Sequence, residues 1–118
     1  MGERSTLKAE TTGTTQAKIA EMVRRIAEEF HPEKVILFGS QARGEAGPDS
    51  DVDILVVMPV QGSRRQQAIA IEVKLAGLGL PKDVIVVTPE EFERQRDTVG
   101  TIVYPAVREG HVAYERTA

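Results

Sequence analysis

Apolar and polar positions along this chain follow two different periods, and the switch between them marks out the elements. From Gln16 onward, Ile19, Met22, Val23, Ile26, Ala27 and Phe30 recur at the i, i+3, i+4, i+7 spacing of an amphipathic helix. Glu21, Arg24, Arg25, Glu28 and Glu29 fill its wet side, and Pro32 disfavours helical geometry at His31. Two short apolar runs follow, Val35-Ile36-Leu37-Phe38 and Ile54-Leu55-Val56-Val57, bounded by Gly, Pro, Asp and Ser. Runs of this length and framing predict buried strands over Lys34–Phe38 and from Asp51 to about Met58. Gln41-Ala42-Arg43 is long enough for one or two helical turns, and residues 44–50 read as loop.

Beyond Pro59 the pattern continues with a helix over Arg64–Gly77, with Ser63 as its cap, and a third strand over Lys82–Thr88. Thr88-Pro89-Glu90-Glu91 is a helix start: a cap, a proline at the first position and acids in the first turn. That helix spans about Pro89–Arg96. Val99–Glu109 carries a further helical stripe, Gly110 caps it, and His111–Tyr114 makes a final small strand. The predicted fold class is α/β (α+β), a small mixed β-sheet with helices packed on one face. Whether the first two strands run antiparallel stays open on the pattern alone.

Composition narrows this further. A chain of 118 residues without visible repeats predicts one compact domain over 16–118, preceded by a polar, Thr- and Gly-rich tail over 1–15 with Thr14 or Thr15 as helix cap. The absence of cysteine excludes disulfides, thiolate metal sites and cysteine nucleophiles. No apolar stretch approaches the roughly 20 residues of a membrane span, and no signal-peptide core is visible, so a cytoplasmic protein is expected. The net charge of −3 argues against direct, backbone-driven binding of nucleic acid.

Candidate chemistry concentrates between the first two strands. Asp51 and Asp53 are two apart, so on an extended chain both side chains leave from the same face, with Cα atoms roughly 6.5 Å apart. Two like charges beside a buried strand are costly unless a cation offsets them, and this spacing suits one divalent ion or a pair. Gly39-Ser-Gln-Ala-Arg-Gly44 begins like a phosphate-binding P-loop, but Glu45-Ala46 stand where Lys and Ser or Thr are required. Asp49-Ser-Asp51-Val-Asp53 begins like a calcium loop, but Ile54 and Val60 stand where Gly and Glu are required. Both readings fall.

Gly39-Ser40, ten residues, then Asp51-Val-Asp53, each half riding on an apolar run, resembles the signature of the polymerase-beta-like nucleotidyltransferase superfamily. The fuller match, Gly-Ser-Gln-Ala-Arg-Gly followed by Ser-Asp-Val-Asp-Ile, resembles its minimal nucleotidyltransferases, over about Ala17 to Tyr114. Members of that branch are often the antitoxin half of pairs with a HEPN-domain toxin. The resemblance implies magnesium, two ions, held by Asp51 and Asp53 with a third carboxylate from a neighbouring strand, for which Asp83 is the candidate. It implies ATP as substrate, with Gly39, Ser40 and Arg43 on the triphosphate. Gly39 would let the backbone approach a phosphate, and the N–H groups after it would open a short helix whose positive end favours anions.

The activity implied is transfer of a nucleoside monophosphate, AMP from ATP, to a hydroxyl of a partner protein, a HEPN toxin neutralised by the modification. Little of the chain is left to build an acceptor pocket, which favours an acceptor supplied by another subunit. The alternatives are an antitoxin that binds by occlusion and a transferase acting on a small molecule. Helix chemistry already explains Glu72, Glu90 and Glu91, and neither His31 nor His111 has a partner at ligand spacing.

Overall fold

The computed structural model describes residues 15–39 and 51–117. Residues 1–14 of the expected 1–15 tail, the turns after Gly39 and the loop up to Ser50 lie outside the described residues, whereas Thr15, expected in the tail or as a cap, is the first helical residue. The elements in chain order are α1 (Thr15–Phe30), β1 (Lys34–Phe38), β2 (Val52–Val57), α2 (Arg64–Lys74), β3 (Lys82–Val87), α3 (Pro89–Gln95), α4 (Val103–Glu109) and β4 (His111–Glu115). The four strands form one mixed sheet in the order β3-β2-β1-β4. β1 runs antiparallel to both β2 and β4, and β2 runs parallel to β3 through the α2 crossover.

The helices divide between the two faces of the sheet, which corrects the expectation of helices on one face. Ile19, Met22 and Ile26 of α1 and Ile71 of α2 pack with Val35, Leu37, Ile54, Val56, Val84 and Val86. Phe92 of α3 and Val103 and Ala106 of α4 pack on the other side, with Ile36, Phe38, Leu55, Val57 and Val87. The physical reason lies in the strands themselves. Ile54 to Val57 are four consecutive apolar residues, and an extended chain sends alternate side chains to opposite faces, so both faces must be covered.

Several ends differ from the pattern-based expectation for local reasons. α2 stops at Lys74, where the chain passes into a turn that reaches Gly77 at φ 90, and the Arg25 guanidinium of α1 donates to the carbonyls of Lys74 at 3.0 Å and Ala76 at 3.3 Å. That contact satisfies acceptors a helix end leaves free and ties α1 to α2. α4 starts at Val103 rather than Val99 because Thr101 is used as a turn residue. Its Oγ1 donates to the carbonyls of Gln95 at 3.0 Å and Thr98 at 2.9 Å and accepts from the Tyr104 N–H at 3.3 Å. α1 ends as expected, with His31 in the left-handed region at φ 50 ahead of buried Pro32.

α3 begins with a reciprocal cap. Thr88 Oγ1 accepts from the Glu91 N–H at 3.1 Å, and Glu91 Oε1 accepts from the Thr88 N–H at 2.9 Å. Glu91 also pairs with Arg64, at the start of α2, at 2.7 Å. Its carboxyl is held below the usual range, first by the Thr88 backbone hydrogen bond and then, against the effect of burial, by the Arg64 charge. The far end of β3 is thereby tied, through the start of α3, to the start of α2.

Candidate active site

The ends of the strands opposite that clamp gather the acids. In the parallel β2–β3 pair Asp53 stands directly beside Asp83, and in the antiparallel β1–β2 pair it stands beside Phe38. Neighbouring strands are about 4.8 Å apart, so the two carboxylates leave adjacent points of the sheet. Alternation puts them on one face. Asp53 precedes Leu55 and Asp83 precedes Val87 by even steps, and Leu55 and Val87 both pack against α3 and α4. Asp51 lies one residue before β2 and is exposed, as is Asp83, while Asp53 is half-buried.

The acids act on one another electrostatically. The Asp53 carboxyl is held above its usual range, first by burial, then by the charge of Asp83, then by that of Asp51. Burial and two like charges shift an acid towards its neutral form, and a nearby cation or donor offsets that shift.

Gly39, the residue that ends β1, makes this placement of Asp53 possible. It sits at φ +84, where a side chain is strained, and a Cβ built on it would collide with Asp53 Oδ2. The sequence suggested a glycine because a phosphate has to come close. The structure adds that Asp53 fills the space a side chain would take, a relation with no sequence signal because it joins residues fourteen positions apart. Gly110 was legible only as a helix cap. A Cβ there would meet the Leu37 carbonyl oxygen and, at 2.9 Å, the Phe38 Cβ. Gly110 therefore lets the α4–β4 corner close onto the end of β1.

The structure thus brings Asp51, Asp53, Asp83 and Gly39 to one end of the sheet. Ser40 and Arg43 lie outside the described residues. Among the described residues no three acidic or histidine side chains converge into a ready-made cage for an ion. The donor set still fits magnesium, which is typically held by one or two carboxylates and completed by substrate phosphates and water. These donors are carboxylate oxygens only, with no cysteine in the chain. His31 and His111 are both exposed, and neither belongs to this group.

A mixed sheet with paired acids on adjacent strands, next to a glycine that ends the preceding strand, has the architecture of a nucleotidyltransferase. The chain belongs to the nucleotidyltransferase domain family, whose model matches residues 18–107. Its fold is similar to that of a nucleotidyltransferase candidate from Sulfolobus solfataricus, at a TM-score of 0.60 and 23% identity over 92% of this chain and 87% of that one. It is also similar to a chain of a toxin–antitoxin structure with AMP-PNP, at a TM-score of 0.55 and 17% identity over 88% of this chain and 76% of that one. No curated protein is close enough in sequence to be matched to it. Among the described residues no helix is long and apolar enough to cross a membrane.

Proposed function

We propose that this chain transfers AMP from ATP to a hydroxyl group of a partner protein, and that the partner is a HEPN-domain toxin which the modification neutralises. The observation that carries this reading is the alignment of Asp53 with Asp83 on adjacent strands, both on one face, with Asp51 close enough to act on the same carboxyl. Family membership supports nucleotidyl transfer, and the similar fold in a toxin–antitoxin structure with AMP-PNP supports the choice of nucleotide and partner.

Asp51 and Asp53 would hold magnesium, with Asp83 as a further ligand. When bound, magnesium offsets the like charges, neutralises the triphosphate and acidifies a hydroxyl near it. Gly39, with Ser40 and Arg43, would receive the triphosphate. Asp83, more exposed than Asp53, accepts the proton of the acceptor hydroxyl. The acceptor oxygen forms a bond to the α-phosphorus, the bond from that phosphorus to the β-phosphate bridging oxygen breaks, and pyrophosphate leaves. The products are an AMP-ester and pyrophosphate.

The test is incubation with ATP, magnesium and the protein encoded by the neighbouring reading frame, followed by intact mass. The expected result is a gain of one or more AMP masses on the partner, absent with Asp53→Asn. A partner that is neutralised without any mass gain would replace this reading with binding by occlusion. Transfer to a small hydroxyl compound in place of the protein would identify a small-molecule transferase.

A further inference from the structure

Away from the acids, the same face of the sheet carries a feature that nucleotide transfer does not use. β4 is an edge strand, and among the described residues only β1 pairs with it. Beneath it lies a hollow of about 90 Å³ between β4 and the α3–α4 layer, floored by Ile36, Phe92 and Val107 and bordered by Val112. Val112 is 48% exposed. Lys34 and Arg96 stand at the sides of the hollow, and each places its positive group 5.4 Å from the centre of the Phe92 ring.

We propose that this edge and hollow dock an extended segment of a partner protein in which an aliphatic residue is flanked, two positions away on each side, by acidic ones, so that all three side chains fall on the face of the hollow. Three observations point to that chemistry. An edge strand offers main-chain donors and acceptors to an added strand, whose alternate side chains then fall on one face and can enter a pocket. The pocket floor is apolar and takes a side chain of aliphatic size.

The rim is basic in a chain of net charge −3, so it complements a carboxylate and not a second lysine. Lys34 and Arg96 do have acidic neighbours, Glu115 at 3.2 Å and Glu93 at 3.5 Å. Those acids are 57% and 67% exposed, and exposed pairs contribute little, so a partner carboxylate can take their place. The pairing shift between Val35 and Ile36 leaves Ala113 without an opposite residue, so the edge is not flat. A bent edge pairs poorly with arbitrary strands, which leaves recognition to the hollow.

The position also bears on the proposed function, and this one step rests on that reading. β4 begins opposite Leu37, one residue from the Phe38–Asp53 pair. An added strand would lie three strand spacings from Asp53, roughly 14 Å. About five further extended residues of the same partner would bring a hydroxyl to the acids.

The test is a titration of the full ¹⁵N-labelled chain, without ATP or metal, with the peptide Thr-Glu-Thr-Val-Thr-Glu-Thr, whose two acids share a face with its valine. Chemical-shift changes are expected at Lys34, Arg96 and His111–Glu115. Affinity should fall at least tenfold when the acids of the peptide are replaced by lysine. The double variant Lys34→Glu with Arg96→Glu should reverse that preference, which guards against a mere loss of fold. Shifts confined to other surfaces, equal affinity for both peptides or no reversal would overturn the proposal. Concentration-dependent shifts at β4 before peptide is added would also overturn it, in favour of a second copy of the chain. Asp53→Asn should bind the peptide as the parent does. Docking without transfer would therefore refute the catalytic reading alone, and transfer without docking would refute this one alone.

Discussion

The Asp53 carboxylate occupies the space into which a side chain on Gly39 would point, so one residue's missing Cβ is the other's site. Gly39→Ala is expected to destabilise the domain twice over, through strain at φ +84 and through collision with Asp53. The second part can be isolated. Asp53→Ala removes the colliding oxygen, so the double variant should recover part of the loss, with a coupling of about 1 kcal/mol or more. Urea unfolding of the four proteins measures it. Strict additivity would mean that the loop moves aside and that Gly39 serves the phosphates alone.

The raised Asp53 carboxyl sets a pH dependence of known sign. Its folded value lies above its unfolded one, so its contribution to stability is fully present below the unfolded carboxylate range, near 4, and is lost as pH rises through the folded value. Without metal, Asp53→Asn should therefore melt higher than the parent at neutral pH, and the gap should close as the medium is acidified. Glu21 works in the opposite direction. Hydrogen bonds from Arg24, then Arg25, lower it to about 2, so its contribution is present above about 4.5 and fades on acidification towards 2. Comparing the two proteins at each pH cancels the Glu21 term. A constant gap across the range would show that Asp53 does not titrate as its surroundings demand.

Asp83 separates binding from chemistry. Asp51, one residue before β2, and Asp53, within it, suffice for the metal that accompanies the triphosphate. Asp83→Ala should leave the affinity for magnesium with a non-hydrolysable ATP analogue nearly unchanged, read by calorimetry. Transfer should fall by about 10²–10⁴-fold if Asp83 takes the proton. Full transfer activity in this variant would remove Asp83 from the mechanism.

The cap at the other end of β3 serves as a control. Thr88→Ala removes the hydroxyl that accepts from the Glu91 N–H, one of the two reciprocal bonds, and should cost about 1 kcal/mol of stability in chemical unfolding. Because Thr88 lies at the opposite end of the strand from Asp83, nucleotide affinity should not change. A large loss of affinity would mean that the two ends are coupled through the sheet.

Much of this was legible in the sequence because it rests on local rules. The order of helices and strands followed from periodicity and punctuation. Asp83 was named because the family resemblance implies a third carboxylate on a neighbouring strand and Asp83 heads an apolar run; the structure puts it beside Asp53. What escaped was non-local. The antiparallel course of β1 and β2 depends on how residues between them turn, and the pattern carries no sign of direction. The two-sided covering was in the runs Ile54–Val57 and Val35–Phe38, which had to bury both faces, yet a short apolar run does not say what covers it. The roles of Gly39 and Gly110 depend on which atoms come to lie beside them. A glycine looks the same in sequence whether it frees a turn, admits a phosphate or makes room for a neighbour.

The pairing of Asp53 with Asp83 has a consequence for how this domain can change over time. Side chains alternate along a strand, so shifting β3 by one residue against β2 would turn Asp83 to the opposite face and bring Val84 or Lys82 beside Asp53. A one-residue insertion between the start of pairing at Pro81 and Asp83 therefore risks the whole acidic group, although it touches no acid. Additions to the α2 crossover before Leu80 leave the pairing as it is. Length variation among descendants of this sequence should accordingly gather in the crossover and avoid the few residues ahead of Asp83, a constraint imposed by phase along the strand and not by the chemistry of any residue there.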